Sequence, residues 1–327
     1  MTTNWKNELL KSGLPFEYEV QECFVKNGCT VWGEATYLRE DEEEKVKEFS
    51  YDIDANYWKG GYCLNFMIEC KYKIQPTKWF FLPHQYKYQN DLDKNGFFHP
   101  LDYFSDHSFP FNKFPVSDAF ENLGPFCLKG VELFENQYLE QNIRKSIHQL
   151  SYSFVNRSIE CFENQLTVDT FKNSIFLNVP IVVTNADLHL INENATIEQI
   201  ESANSIEDVS TKQNFLFFFN KIGMQLKEYN KLKLKKYFQS IDSKLILESK
   251  TNDIDLFIEY FSSNFCPQVI LFMQHTKDAK NYSTLFNYIN QVLEPDKDTQ
   301  KKIDIVCKSF EERCKDFGKK VKKQNGK

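Results

Sequence analysis

The chain has 327 residues, 41% hydrophobic and 16% aromatic, enough apolar surface for one large domain or two modest ones. Its 40 basic and 46 acidic residues leave a formal charge of −6, which argues against indiscriminate phosphate binding, since such binders are mostly basic. No apolar run approaches membrane-span length, the amino terminus lacks a secretion signal, and nine cysteines without a Cys-x-x-Cys pair fit reduced thiols in a cytoplasm rather than a zinc ribbon.

The first expected element is a helix opening near Gly13-Leu-Pro15. Proline is tolerated just inside a helix start, where its missing N–H would be unpaired anyway. Phe16, Val20, Cys23 and Phe24 fall on one apolar stripe, and Gly28 is the expected stop. Glu17 borders that stripe. The acidic run from Arg39 to Glu44 reads as a solvated loop.

Residues 49–58 then read as a strand carrying Asp52 and Asp54, followed by Lys59-Gly60-Gly61 and a second strand over 62–71 that ends in Glu69-Cys70-Lys71. Two glycines between apolar runs signal a hairpin, because a two-residue turn demands positive φ. That loop sets Lys59 opposite Tyr62, and counting back sets Asp52 opposite Glu69. Opposed residues on one face have Cβ atoms about 4.5–5.5 Å apart, near enough for two carboxylates to share a cation. Alternation places Lys71 on the side of Glu69, with Asp54 on that face two positions nearer the turn. Facing carboxylates repel unless a cation lies between them, so a divalent metal is the simplest account. Lys71 would then align the attacking water or tune its pKa. Register favours Asp52 over Asp54 as the principal ligand, and a one-residue bulge would alter it.

Past Lys71, a Trp-Phe-Phe strand lies between Pro76 and Pro83, with Lys73 and Lys78 close enough to the hairpin's end to meet a phosphate. Residues 84–130 show no sustained period and read as a long irregular insertion, whose His84, His99 and His107 lack metal-ligand spacing. A helix is expected from Glu132 to about Phe162, with Leu139, Ile143, Ile147, Leu150 and Phe154 at its apolar spacing and Gln149 half-exposed on it. Residues 178–191 read as one strand, with Pro180 confined to its start. Further on, the pattern gives a polar connector, a strand at 214–219, one or two helices over 226–247, a strand at 267–273, a helix near 282–293 and a Lys-rich terminal helix near 298–322. The lysine clusters at 227–236 and 315–323 read as solvated helix surface or as a phosphate track.

Asp52-x-x-Ala55 followed by Glu69-Cys70-Lys71, with Phe16-Glu17 on the preceding helix, resembles the PD-(D/E)XK superfamily of restriction-endonuclease-like nucleases. Tyr51, before the aspartate, departs from the small or acidic residues often found there. The resemblance covers residues 10–75 by motif and reaches loosely to about 190. It implies an α/β fold with a restriction-endonuclease-like mixed β-sheet flanked by helices, a long irregular insertion and an α-rich C-terminal extension. The nuclease-like core would span 1–192, with the insertion at about 84–130, and an α/β extension over 193–327 would pack on it.

It also implies Mg²⁺, with Mn²⁺ as a substitute, held by Asp52 and Glu69 with Asp54 as the other candidate, and Glu17 and Lys71 completing a catalytic group. Gln149 resembles a shortened Gln-x-x-x-Tyr element of some exonuclease branches, and it and Lys73 stand as accessory candidates. The function implied is hydrolysis of phosphodiester bonds, foremost by a DNA endonuclease of restriction or phage-defence type, with nucleic acid and a protein partner or second copy as partners. The alternative is a non-cleaving nucleic-acid-binding or assembly subunit on the same fold. No Gly-x-Ser-x-Gly, Gly-rich phosphate loop or His-Glu-x-x-His supports another hydrolase.

Overall fold

A computed structural model describes residues 5–40, 46–84, 96–108, 123–135, 137–139, 141–264 and 267–305, with 308 and 312. Among these residues one twelve-stranded mixed sheet organises the chain. Helices α1 (Trp5–Lys11) and α2 (Leu14–Lys26) come first, then β1 (Thr30–Glu40), β2 (Val46–Lys59) and β3 (Tyr62–Lys71). β4 (Lys78–Pro83), β5 (His99–Leu101), β6 (Phe126–Phe134) and β7 (Gln137–Leu139) precede the long α3 (Gln141–Thr167). β8 (Ile175–Thr184), β9 (Asp187–Ile191), α4 (Ile197–Ser202), β10 (Ser210–Gln213) and β11 (Phe215–Phe219) follow. The chain continues through α5 (Met224–Ser240), α6 (Ser243–Leu247), α7 (Ile254–Asn264), β12 (Val269–Gln274) and α8 (Lys280–Leu293) to a helical stretch at 297–305.

The strand order is β1-β2-β3-β8-β12-β11-β6-β4-β9-β10, with β5 also on β8 and β7 on β6. β3 runs parallel to β8, and β8 to β12, so the centre is a parallel sheet covered on both faces. That is why β8 is buried at every position and reads as a continuous apolar run rather than an alternating one. Alternate residues sort into two cores. Ile68, Val183, Leu271 and Met273 meet Phe16, Val20 and Phe24 of α2 and Tyr282, Phe286 and Ile289 of α8. Met67, Val182, Ile270 and Phe272 meet α3, α5, α6 and α7 through Leu150, Phe154, Phe238, Ile246 and Phe257.

The mixed sheet between helix layers and the helical C-terminal part agree with the expected class. Of the expected insertion, segments 85–95 and 109–122 lie outside the described residues, as do residues 41–45 of the acidic run and the lysines of 315–323. The boundary expected near residue 192 crosses a shared sheet, because β9 pairs β10 and because β11 and β12 lie between β6 and β8.

Three local expectations are corrected. The helix expected from Glu132 begins at Gln141, and residues 126–134 form β6 instead. That strand pairs antiparallel with β4 and parallel with β11, and α3 packs against it. The strand expected over 178–191 is two strands, β8 and β9, broken at Asn185-Ala186. Pro180 lies inside β8, not at its start. It is accommodated where the partner on the edge away from β3 changes, β5 pairing residues 176–178 and β12 residues 181–184. Among the described residues no helix is long and apolar enough to cross a membrane.

Candidate active site

The hairpin between β2 and β3 has the expected register. Gly60 and Gly61 take φ of 55° and 84°, the paired left-handed conformation of a two-residue turn, and Lys59 pairs with Tyr62. The ladder runs back to Ile53↔Ile68. Beyond that pair β2 is bulged: against β1, two steps from Gly33 to Ala35 match three from Asp54 to Tyr51. The extra residue at 52–53 puts Tyr51 and Asp54 on one face, where the Tyr51 hydroxyl donates to Asp54 Oδ1 at 2.9 Å. Asp52 is thereby turned toward the end of β3, where the Cys70 N–H donates to its Oδ2 at 2.6 Å.

Asp54 therefore does not share the face of Asp52, as plain alternation had suggested. Its Oδ2 lies 3.3 Å from the Arg157 guanidinium of α3, which also bonds Glu160 and the Asn65 side-chain oxygen. Burial raises the Asp54 pKa, and Arg157 and the Tyr51 hydroxyl oppose that. Arg157 is the counter-ion of a nearly buried carboxylate. Its replacement by methionine is expected to lower unfolding free energy by about 3–5 kcal/mol in urea denaturation, the usual effect of removing one member of a buried pair. A loss below about 1 kcal/mol would mean that Asp54 is not held by that contact.

Glu69 is fully buried under α3, between β2 and β8. Lys71, two residues on and on the same face, donates its ammonium to Glu69 Oε1. Among the described residues Glu69 Oε2 has no hydrogen-bond partner. Burial pushes the Glu69 carboxyl up to about 8, Lys71 pulling it down and Asp52 adding to the rise. Burial lowers the proton affinity of Lys71, but Glu69 and Asp52 outweigh it and hold the pKa above its ordinary value. Asp52 is raised by burial, against Lys71 and the Cys70 N–H. Glu17, in the first turn of α2, is raised by burial and by Asp52, with Lys71 opposing.

At the C-terminal end of β3, Lys71 therefore contacts Glu69 and the Cys70 N–H holds Asp52. Glu17, on α2, is near enough to feel the charges of Asp52 and Lys71. Among the described residues no group of three or more His, Cys, Asp or Glu side chains is already gathered as a metal cage. The donor set nonetheless fits a hard divalent cation, which takes oxygen ligands and would satisfy the orphaned Oε2.

The accessory candidates are engaged elsewhere. Lys73 bonds Glu132 Oε2 at 2.9 Å, and burial lowers its pKa against the pull of that carboxylate. Gln149 donates to the Ser50 carbonyl of β2 at 3.0 Å and pins α3 to the hairpin. His99 is a core residue, with Nδ1 against the carbonyls of Phe97 and Asn178.

Three contributors were missed in a linear reading, two of them without any signal there. Glu34, on β1 just past the Gly33 bulge, adds to the negative charge felt by Glu17 and Asp52. Glu132 on β6 gathers Lys73, the Trp79 indole and the Asn142 amide onto one buried carboxylate. Lys145, in the first turns of α3, pulls down the proton affinity of both Asp52 and Glu69. Only the 142–145–149 spacing on α3 could have suggested the last. No family model matches the chain, and no curated protein or solved structure matches it either.

Proposed function

We propose that the protein is a Mg²⁺-dependent phosphodiesterase that cuts nucleic acid, with DNA as the favoured substrate and internal cleavage as the favoured mode. The observation that carries this reading is the buried Glu69, with one oxygen on Lys71 and the other without a hydrogen-bond partner among the described residues, near Asp52 and Glu17. A buried carboxylate with one oxygen free, beside two further acids of raised proton affinity, supplies the oxygen donors that a hard divalent cation takes. The restriction-endonuclease-like character of the fold belongs to the same proposal.

Asp52 and Glu69 would hold the cation, and Glu17 would support it. A bound Mg²⁺ would supply charge neutralisation at the phosphoryl oxygens and acidify the attacking water. Lys71, kept as an ammonium by Glu69 and Asp52, orients that water by hydrogen bonding and does not deprotonate it. Burial first and Asp52 second raise the proton affinity of Glu17, so a supporting cation would favour its ionised form. The Cys70 N–H holds Asp52 in place, so the backbone of β3 itself orients the ligand.

The test is incubation with closed-circular, linear and single-stranded DNA and with RNA, in Mg²⁺ and in Mn²⁺. Nicking of closed circles in Mg²⁺ is expected, with losses of about 100-fold or more in Asp52→Ala and Lys71→Ala, the scale on which one electrostatic catalytic group acts. Full Mg²⁺-dependent activity in Asp52→Ala would refute the assignment. Stable DNA binding without cleavage by the intact protein would favour a non-cleaving subunit, the reading to which the net charge of −6 lends weight.

A further inference from the structure

The first three turns of α3 are pinned at both ends over the site. At one end the Asn142 amide donates to Glu132 at 3.0 Å, the carboxylate that also holds Lys73 from the segment following β3. At the other end Gln149 donates to the carbonyl of Ser50, two residues before Asp52. Lys145 stands three residues after the first anchor and four before the second, so it lies on the same face of the helix. Lys145 thus lies on α3 between an anchor that reaches, through Glu132, the segment following β3 and an anchor on β2 two residues before Asp52.

Of the three lysines that meet this mouth, Lys71 is paired with Glu69 and Lys73 with Glu132. Lys145 is exposed. The influence of its ammonium on both Asp52 and Glu69 agrees with that placement. Beyond the charge a bound Mg²⁺ would supply, a phosphate flanking Glu17, Glu34, Asp52 and Glu69 is favoured by a cation that is not already neutralised by a protein carboxylate.

We propose that Lys145 is a substrate-binding residue, its ammonium contacting a phosphate of the nucleic-acid backbone at or next to the bond that is cut. The inference rests on the nuclease reading above and adds to it where the polyanion lies: across the first turns of α3. Lysine suits the task as a mobile point charge on a flexible stem, so arginine should serve nearly as well here. The anchors Asn142, Gln149 and Glu132 act through Lys145 as positioning residues.

The experiment is fluorescence anisotropy of labelled single-stranded and duplex DNA 20-mers in Ca²⁺, across a salt series, on the full chain and on Lys145→Ala, Lys145→Gln and Lys145→Arg. Mg²⁺ cleavage is followed in parallel. The alanine and glutamine variants are expected to bind about 5–10-fold more weakly, with the slope of log K against log salt reduced by about one, while arginine stays within about twofold. Melting temperatures should match, since an exposed lysine is removed. Unchanged affinity and slope in both neutral variants, in a preparation that cuts DNA, would overturn the role of Lys145 and leave the nuclease reading standing. Absence of both binding and cleavage in the intact protein would remove both. A fall in melting temperature with no change in slope would mark Lys145 as structural and also overturn the proposal.

Discussion

Glu69→Gln is expected to abolish metal-dependent cleavage while raising the melting temperature of the metal-free protein at pH 8. The sign follows from linkage. The Glu69 carboxyl, ordinarily near 4.5, is pushed up to about 8 by burial. Between those two values the folded chain holds a proton that the unfolded chain has released, so the unfolded state is progressively favoured as pH rises through that window. Glutamine fills the same space, keeps an acceptor for the Lys71 ammonium and never ionises. The penalty that grows from pH 5 to pH 8 in the wild-type protein is absent in the variant.

Lys71 does not reverse this conclusion. Its attraction is already contained in the raised value, and burial outweighs it. Each kcal/mol recovered should raise the melting temperature by about 1.5 °C for a chain of this length, a difference that vanishes near pH 5. Activity should fall by about three orders of magnitude, equivalent to about 4 kcal/mol of transition-state stabilisation. Differential scanning calorimetry in EDTA at pH 5 and pH 8, alongside plasmid cleavage, checks both halves. Equal stability of the two proteins at both pH values would show that Glu69 is already well satisfied and needs no cation.

The hairpin was legible because its cause is local. Two adjacent glycines leave one register open, and from it the shared face of Glu69 and Lys71 follows by counting. The stripe on α2 was legible for the same reason, Phe16, Val20 and Phe24 repeating at helical spacing and packing against Phe66, Tyr282 and Phe286. The separation of Asp52 from Asp54 was not. It depends on a bulge set by pairing with β1, whose partner residues lie some twenty positions upstream.

The central place of β11 and β12 was also hidden. An apolar pentapeptide such as Phe215–Phe219 announces a buried strand but not its neighbours. Pro180 misled because a proline was expected to mark an edge or a start. Inside β8 it occupies the junction between two successive partners. Glu132 and Lys145 reach the site from β6 and α3, more than sixty positions beyond Lys71, and only the folded sheet brings them there.

A second large effect concerns the cation itself. Mg²⁺ and Mn²⁺ are expected to bind more tightly as pH rises from 6 to 8, by about tenfold per unit, with the dependence flattening above 8. A carboxyl pushed up to about 8 must lose its proton before it can serve as a ligand. Titration calorimetry at pH 7 in buffers of different ionisation enthalpy should therefore report release of about one proton per ion bound. Glu69→Gln should bind weakly, with the pH dependence between 7 and 8 largely gone. Lys71→Gln should alter binding in a way that separates two roles of that ammonium. It opposes the cation by occupying Glu69 Oε1, and it favours ionisation of the same carboxyl. Tighter binding in the variant would mean that competition dominates, and weaker binding that charge compensation does. Affinity independent of pH across the whole range in the wild-type protein would place the ion on other ligands, and the carboxyl group at the end of β3 would lose its assigned part in catalysis.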